Sequence, residues 1–135
     1  GVRVRLLLQG RYEYFMQYHA AHALYGSLLA AGVEIFEYTA SFLHAKVAVV
    51  DDRWATVGSS NIDPLSLLLA REANVVVLDV PFAKGLREQL ELAILHGAQR
   101  LDGQRYAQRP FGQKLRDLAA LLLMRMLLFV AGKRY

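Results

Sequence analysis

The sequence predicts an α/β (α+β) sandwich, in which a mixed β-sheet is flanked by helices. Short apolar or alternating runs typical of strands recur along the chain. Between them lie longer stretches whose apolar residues recur with the 3.6-residue period of a helix. The 135 residues are 55% hydrophobic and 21% charged, which favours one folded domain with a buried core over a disordered chain. Interleaved strands and helices then indicate a layered domain.

Each predicted element has a local signal. Gly32 is expected to end the first helix as a C-cap glycine, and Asp63 with Pro64 is expected to start the second. The third strand is apolar almost throughout, which predicts burial on both of its faces. Asp51, Asp52 and Arg53 are expected to form the turn of a hairpin. The predicted strands are 2–8, 33–38, 44–50, 54–57 and 73–79, and the predicted helices are 14–31, 64–69, 81–99 and 113–130.

Composition and charge exclude some classes of site. The absence of cysteine excludes disulfides and thiolate metal sites. The formal charge is +4, and residues 100–135 hold eight Lys/Arg against two Asp/Glu. Residues 118–131 are apolar with one charge, but fourteen residues are fewer than the ~20 that span a bilayer. The basic, apolar tail, 111–135, therefore favours binding to an anionic membrane surface over binding to nucleic acid. An equal alternative is that the tail is a core helix that packs against another part of a longer protein.

The stretch 44–61 carries the strongest chemical signal, with the spacing H-x-K-x4-D-x6-G-S-x-N. Because side chains alternate along a strand, His44 and Lys46 share a face, roughly 7 Å apart. A nucleophilic histidine beside a fixed cation suits attack on a phosphate ester. Asp51 has the opposite parity and lies in the turn, so a turn-forming role is favoured over contact with substrate.

Two further segments are expected to complete this site. Gly58 to Asn61 are small or polar, so backbone N–H groups approach an anion easily, and the Ser59 hydroxyl and Asn61 amide are expected to donate to phosphate oxygens. An ordinary turn is the alternative. Glu72, just before the last predicted strand, is the candidate acceptor that holds the second ring nitrogen of His44. A solvated glutamate is its alternative.

The remaining histidines and tyrosines give weaker signals. His19 and His22 have the spacing of a two-histidine metal face on a helix. No third ligand with suitable spacing is evident, so ordinary histidines on a helix surface are favoured. His96 is expected near the negative end of its helix. Core or surface packing is favoured over an aromatic rim for three N-terminal tyrosines, Tyr12, Tyr14 and Tyr18.

HAKVAVVD followed by GSSN resembles the HKD signature of the phospholipase D superfamily. The longer runs FLHAKVAVVDDRWATVGSSNIDP and REANVVVLD are similar to bacterial cardiolipin synthases of the B type, around their second HKD motif. The likeness covers about residues 1–100. It implies a phospholipase D-like C-terminal catalytic half domain over 1–110, with no metal and no cofactor. It also implies a role for each motif position: His44, Lys46, Asp51 and Glu72 as catalytic residues, and Lys46, Ser59 and Asn61 as phosphate-binding residues.

The resemblance also implies an activity, which is phosphatidyl transfer between two phosphatidylglycerol molecules through a phosphohistidine, at the bacterial inner membrane as a peripheral protein. In members with two motifs, the histidine of the first motif is usually the nucleophile. The resemblance to the second motif therefore implies that His44 is the general acid/base. The family builds one site from two HKD motifs, and this chain holds one. The expected second half lies upstream in a longer chain, as the start at Gly1 favours, or in a homodimer. The alternatives are lipid hydrolysis, a nuclease, or a non-catalytic membrane-binding fragment.

Overall fold

The structure is a computed structural model that describes residues 1–12, 14–60 and 72–132. It confirms the α+β class, and most predicted elements appear within a few residues of their expected bounds. The predicted helix 64–69 lies outside the described residues. In chain order the elements are β1 (Arg5–Gln9), α1 (Phe15–Ala30), β2 (Glu34–Tyr38), β3 (Val47–Val50), β4 (Trp54–Gly58), β5 (Asn74–Val77), α2 (Val80–Gly97), β6 (Ala98–Arg100), α3 (Gly103–Ala107) and α4 (Phe111–Gly132).

The described strands form two three-stranded sheets. One is mixed, in the order β1-β2-β6, with β1 parallel and β6 antiparallel to β2. The other is an antiparallel meander in the order β3-β4-β5. β6 was not predicted because its three residues are too short to show a period. The short helix α3 was also missed, although Asp102 caps it by accepting the Arg105 N–H at 2.8 Å.

The predicted hairpin between β3 and β4 is confirmed, and its turn has an unusual backbone. Asp51 and Asp52 both have positive φ, at 49° and 53°. The Arg53 N–H donates to the Val50 carbonyl at 3.2 Å, which closes the turn. Two left-handed central residues give the turn a twist that matches its strands, and Asp tolerates that region better than most residues. The turn therefore fixes the register of the hairpin.

The core lies where α1, the β1-β2-β6 sheet and α3 meet. Its buried centre is Tyr25, Ile35 and Tyr106. Burial raises the pKa of the Tyr106 phenol, so its hydroxyl remains a donor, and it bonds the His22 carbonyl at 2.6 Å. This bond joins α3 to the middle of α1. Partly buried aliphatic side chains surround the centre: Leu8, Leu28, Leu29, Val33 and Leu101.

His19 and His22 are buried, so their prediction as surface histidines was wrong. They are only 4% and 8% exposed. His22 Nε2 lies 3.0 Å from a Glu37 carboxylate oxygen on β2, and His22 Nδ1 lies 2.8 Å from a backbone carbonyl one turn earlier. Both ring nitrogens thus have structural partners. Among the described residues, no group of three or more His, Cys, Asp or Glu is arranged to hold a metal ion.

A buried polar network joins α1 to α4. His19 Nδ1 lies 2.8 Å from one oxygen of Asp117, and the Arg109 guanidinium donates to the other at 2.9 Å. Asp117 is 2% exposed. Arg109 also stacks on the Tyr106 ring, 3.5 Å from its centroid. Because a buried charge is stable only when paired and hydrogen-bonded, these contacts hold α4 in place.

α4 packs mainly against α1 and buries one face there. The buried residues are Asp117, Ala120 and Leu128. The opposite face stays exposed along the whole helix. Within the part of the chain that the structure describes, no helix combines the length and hydropathy needed to cross a membrane. The outer face of α4 is defined by Phe111, Leu115, Leu118, Leu122 and Met126.

Candidate functional site

His44 and Lys46 meet, as strand parity predicted. They lie just before β3, which begins at Val47 and not at His44. Pairing nevertheless extends back to Lys46, whose carbonyl accepts the Gly58 N–H at 3.0 Å. Lys46 Nζ lies 2.9 Å from His44 Nε2 and 3.3 Å from Nδ1. The Lys46 ammonium therefore lies within hydrogen-bond distance of the His44 ring.

Side chains from the end of β1 hold the segment that leads into His44. Gln9 accepts the Leu43 N–H at 3.1 Å through its side-chain oxygen. Arg11 donates to the carbonyls of Thr39 and Ala40, at 2.8 and 2.6 Å. The residues 42–46 have no regular secondary structure, so these bonds replace a strand ladder. Sequence reasoning missed both residues because their partners are about thirty positions away.

The loop after β4 is held against β5. The Ser59 N–H donates to the Ala73 carbonyl at 3.0 Å, and the Ser59 hydroxyl oxygen accepts the Ala73 N–H at 3.1 Å. Ser60 Oγ accepts from the Asn74 amide at 2.6 Å. Asn61 lies outside the described residues, so its phosphate-binding role stays a prediction. Asn74 was not predicted for this site, although asparagine is unusual in a valine-rich strand.

Glu72 lies just before β5, which begins at Asn74, and His44 lies just before β3. Gly58 pairs with Asn74, and Ser59 bonds Ala73 beyond the end of β4. The structure describes both Glu72 and His44 and shows no hydrogen bond between them. The role of Glu72 as acceptor for His44 stays a prediction.

Asp51 is not brought together with His44. It lies in the hairpin turn, beyond the far end of β3. Its neighbour Asp52 pairs with Arg87 of α2 at 2.7 Å, which ties the turn to that helix. The geometry agrees with the turn-forming interpretation, and a direct chemical role for Asp51 stays a prediction.

Among the described residues, no helix packs on the face of the β3-β4-β5 sheet that bears His44 and Lys46. We call this face the front face. α2 packs on the other side of the sheet, where Ala55 and Ala83 are fully buried. Burial of β3 on both faces was a wrong prediction, because none of its residues is buried and, among the described helices, α2 packs on one side only. The front face consists of His44, Lys46, Ala48 and Val50, of Trp54, Thr56 and Gly58, and of Asn74 and Val76.

Replacing Gly58 with alanine is expected to destabilise the protein by about 1–3 kcal/mol and to lower its activity. A β-carbon on Gly58 would lie 1.9 Å from the Asn74 side-chain oxygen and 2.5 Å from the Ala73 carbonyl oxygen. The Asn74 amide can move, but the Ala73 carbonyl belongs to the backbone and is held by the Ser59 N–H. Urea unfolding of the full-length protein measures the loss. The control is Gly85→Ala on α2, where nothing lies within 4 Å and helix propensity favours alanine. Equal unfolding midpoints for the two variants would contradict the expectation.

Comparison with known proteins places these features in a family. The model of the family described as "Cardiolipin synthase, PLD-like domain" matches residues 1–93. The chain is 41% identical over 125 residues to cardiolipin synthase B of Escherichia coli strain K12, covering 93% of this chain and 30% of that protein. It is 32% identical over 123 residues to the major cardiolipin synthase ClsA of Bacillus subtilis, covering 91% of this chain and 25% of that protein. No solved structure matches significantly.

These alignments extend further than the resemblance recognised in the sequence. An alignment over 93% of the chain necessarily includes much of α4, whereas the recognised likeness ended near residue 100. The tail is therefore shared with those relatives. The chain spans about 30% of the length of the curated cardiolipin synthase B proteins that it matches.

Proposed function

The chain belongs to the family of cardiolipin synthase PLD-like domains, and from that premise we propose that it supplies one of two half-sites of a cardiolipin synthase. The reaction would transfer a phosphatidyl group from one phosphatidylglycerol to another and release glycerol. The observation that carries this proposal is the pair His44 and Lys46, 2.9 Å apart on an open sheet face. Phosphodiester exchange needs a nucleophile or base, which the histidine provides, and a cation that stabilises the charge on phosphate, which the ammonium provides.

The proposed mechanism has two displacements at phosphorus. In the first, a histidine nitrogen attacks phosphorus and the bond from phosphorus to the oxygen of the headgroup glycerol breaks. The second histidine gives its proton to that oxygen. In the second, the hydroxyl of another phosphatidylglycerol loses its proton to this second histidine and attacks phosphorus, and the phosphorus–nitrogen bond breaks. Lys46 stabilises the charge on the non-bridging oxygens in both steps. His44 supplies one histidine, and the other half-site supplies its partner.

The open front face supports the need for a second half. Val50 and Val76 on this face are 51% and 55% exposed, and Val75 on the other face of β5 is 64% exposed, so the described sheet leaves aliphatic surface for a partner to cover. A second half-site docked on the front face would supply the second histidine that the mechanism needs. The occupant that we propose is the other HKD half of the same full-length chain, with a homodimer as the alternative. Equilibrium sedimentation of the full-length protein distinguishes the two, because a monomer with activity excludes the dimer.

The full-length protein in mixed micelles with phosphatidylglycerol tests the activity. Cardiolipin and glycerol formed in equal amounts would support transfer. Phosphatidic acid as the sole lipid product would favour the alternative in which water replaces the acceptor lipid. Phosphatidylglycerol left unchanged would contradict both enzymatic proposals and leave a non-catalytic, membrane-binding role.

We further propose that α4 docks on an anionic membrane surface, so that the protein is peripheral to the bacterial inner membrane. Leu118, Leu122 and Met126 of the outer face are 47%, 54% and 57% exposed. Exposed cations, Arg116 and Arg125, flank this apolar stripe. The one acidic residue of α4 is buried in the network with His19, so the exposed surface of the helix has no negative charge. An apolar stripe between cations suits a helix lying in the headgroup region.

Replacing Leu122 with glutamate is expected to weaken binding of the full-length protein to phosphatidylglycerol vesicles about tenfold or more. The change removes an apolar side chain that docking would bury in the membrane, worth roughly 1.5–3 kcal/mol. It also adds a negative charge, which the anionic lipids repel. Vesicle co-sedimentation measures it, and Leu95→Glu, on the exposed side of α2 at 74% exposure, is the matched control. Normal vesicle binding by Leu122→Glu, together with a lowered unfolding midpoint, would contradict membrane docking. That result would indicate that the outer face of α4 packs against the rest of the full-length protein.

A further inference from the structure

A gap on the front face lies directly beside Lys46. Gly58 lies on β4, the central strand of the sheet. Its N–H donates to the Lys46 carbonyl on one side, and it pairs with Asn74 on the other. Directly paired residues of antiparallel strands point to the same face. With neighbouring strands ~4.8 Å apart, the α-carbons of Lys46 and Asn74 are about 10 Å apart. The residue in the middle is glycine, and its missing side chain leaves room for that of Asn74.

The Asn74 amide reaches into this gap. A β-carbon on Gly58 would lie 1.9 Å from the Asn74 side-chain oxygen, so the amide lies across the glycine. Its nitrogen donates to Ser60 Oγ at 2.6 Å, which fixes one end of the group. Asn74 is nevertheless exposed. The amide is therefore held in place and still open to a ligand that occupies the front face.

The Asn74 amide favours a hydroxyl ligand over a phosphate oxygen, because its nitrogen already donates to Ser60 and its oxygen needs a donor that phosphate does not offer. A phosphate oxygen accepts hydrogen bonds only, and Lys46 already provides a cation for it. A hydroxyl both donates and accepts, so it bonds an amide in either orientation of that amide. In a phospholipid with a polyol headgroup, a free hydroxyl lies a few ångströms from the phosphorus. That separation suits the gap between Lys46 and Asn74.

We propose that Asn74 determines specificity for hydroxylated headgroups, by hydrogen bonding a free hydroxyl of the alcohol that is esterified to the phosphate. This inference rests on the proposed function and deepens it, since it names the part of the substrate that the site recognises. It assigns Lys46 to the phosphate and Asn74 to the alcohol.

Two donor lipids test the assignment in the full-length protein. Phosphatidylglycerol carries free hydroxyls, and phosphatidylethanol has the same phosphodiester and charge without them. Because phosphatidylethanol has no hydroxyl to accept the phosphatidyl group, both assays supply isotopically labelled glycerol as the acceptor and measure its transfer into lipid. Asn74→Ala is expected to lower kcat/KM for phosphatidylglycerol about tenfold, the effect of one lost hydrogen bond of ~1.4 kcal/mol. Turnover of phosphatidylethanol is expected to stay within about twofold of the wild type. Asn74→Asp keeps an acceptor and is expected to retain the preference for phosphatidylglycerol, with slower turnover of both lipids because its charge repels phosphate.

Ser60→Ala is the control, because it removes the hydrogen bond to Asn74 and leaves the amide. It is expected to retain the preference for phosphatidylglycerol. If Ser60→Ala instead reproduced the selective loss of Asn74→Ala, Asn74 would act through Ser60 and the assignment would be overturned. An equal loss on both lipids in Asn74→Ala would overturn it as well. A wild-type protein inactive on both lipids would overturn the proposed function, and this assignment with it.

Discussion

Replacing His44 with alanine is expected to lower phosphatidyl transfer by the full-length protein by about a thousandfold or more. In either of its roles His44 makes or breaks a bond to a proton or to phosphorus, and general acid–base catalysis alone contributes ~100- to 10,000-fold. The substitution removes the ring that lies 2.9 Å from Lys46 Nζ. Release of glycerol from phosphatidylglycerol in mixed micelles measures the loss.

The matched control is His96→Ala. His96 is exposed in the last turn of α2, on an element that packs behind the front face, so its removal is expected to leave turnover within about twofold. The two variants should unfold at the same urea concentration, since both histidines are exposed. Full activity in His44→Ala would exclude His44 from the chemistry. A matching loss in His96→Ala would indicate that the assay reports folding and not catalysis.

Replacing Asp117 with alanine is expected to destabilise the protein by about 3–5 kcal/mol, the range observed when one partner of a buried ion pair is removed. Asp117 is 2% exposed and bonds both His19 and Arg109. Without it, Arg109 would keep a charge in a half-buried position with its main anionic partner gone. Urea unfolding of the full-length protein, followed by circular dichroism, measures the change.

Asp52→Ala is the control for this prediction. Asp52 also pairs with an arginine, at 2.7 Å, but that arginine is half exposed. Pairs of this kind contribute roughly 0–1 kcal/mol because water screens them. We expect the midpoint of Asp52→Ala to stay close to that of the wild type. Equal midpoints for Asp117→Ala and the wild type would show that the network does not hold α4 on α1.

Local patterns in the sequence predicted much of the fold and part of the site. The alternation along 44–50 placed His44 and Lys46 on one face, roughly 7 Å apart, and in the structure their side chains lie 2.9 Å apart. The acidic turn predicted the hairpin, and its two positive φ values explain why aspartates occupy it. The family also followed from the sequence, because the H-x-K and GSSN spacing is a local property that folding does not alter.

Other features depended on pairs of residues that are distant in the chain. His19 and Asp117 are 98 positions apart, and no period or spacing in the sequence relates them, so His19 was expected at the surface. The open front face was missed for a related reason. An apolar strand predicts burial, but which element covers each side is decided by packing, and among the described elements α2 covers one side only.

The sequence by itself therefore determined the family, the order of most elements and the pairing of His44 with Lys46. These follow from backbone periodicity and local spacing, which act over a few residues. The tertiary structure alone decided that Asn74 lies across Gly58 beside Lys46, and that a buried aspartate holds α4. Such placements arise from strand register and helix packing, which bring together residues that the chain keeps far apart.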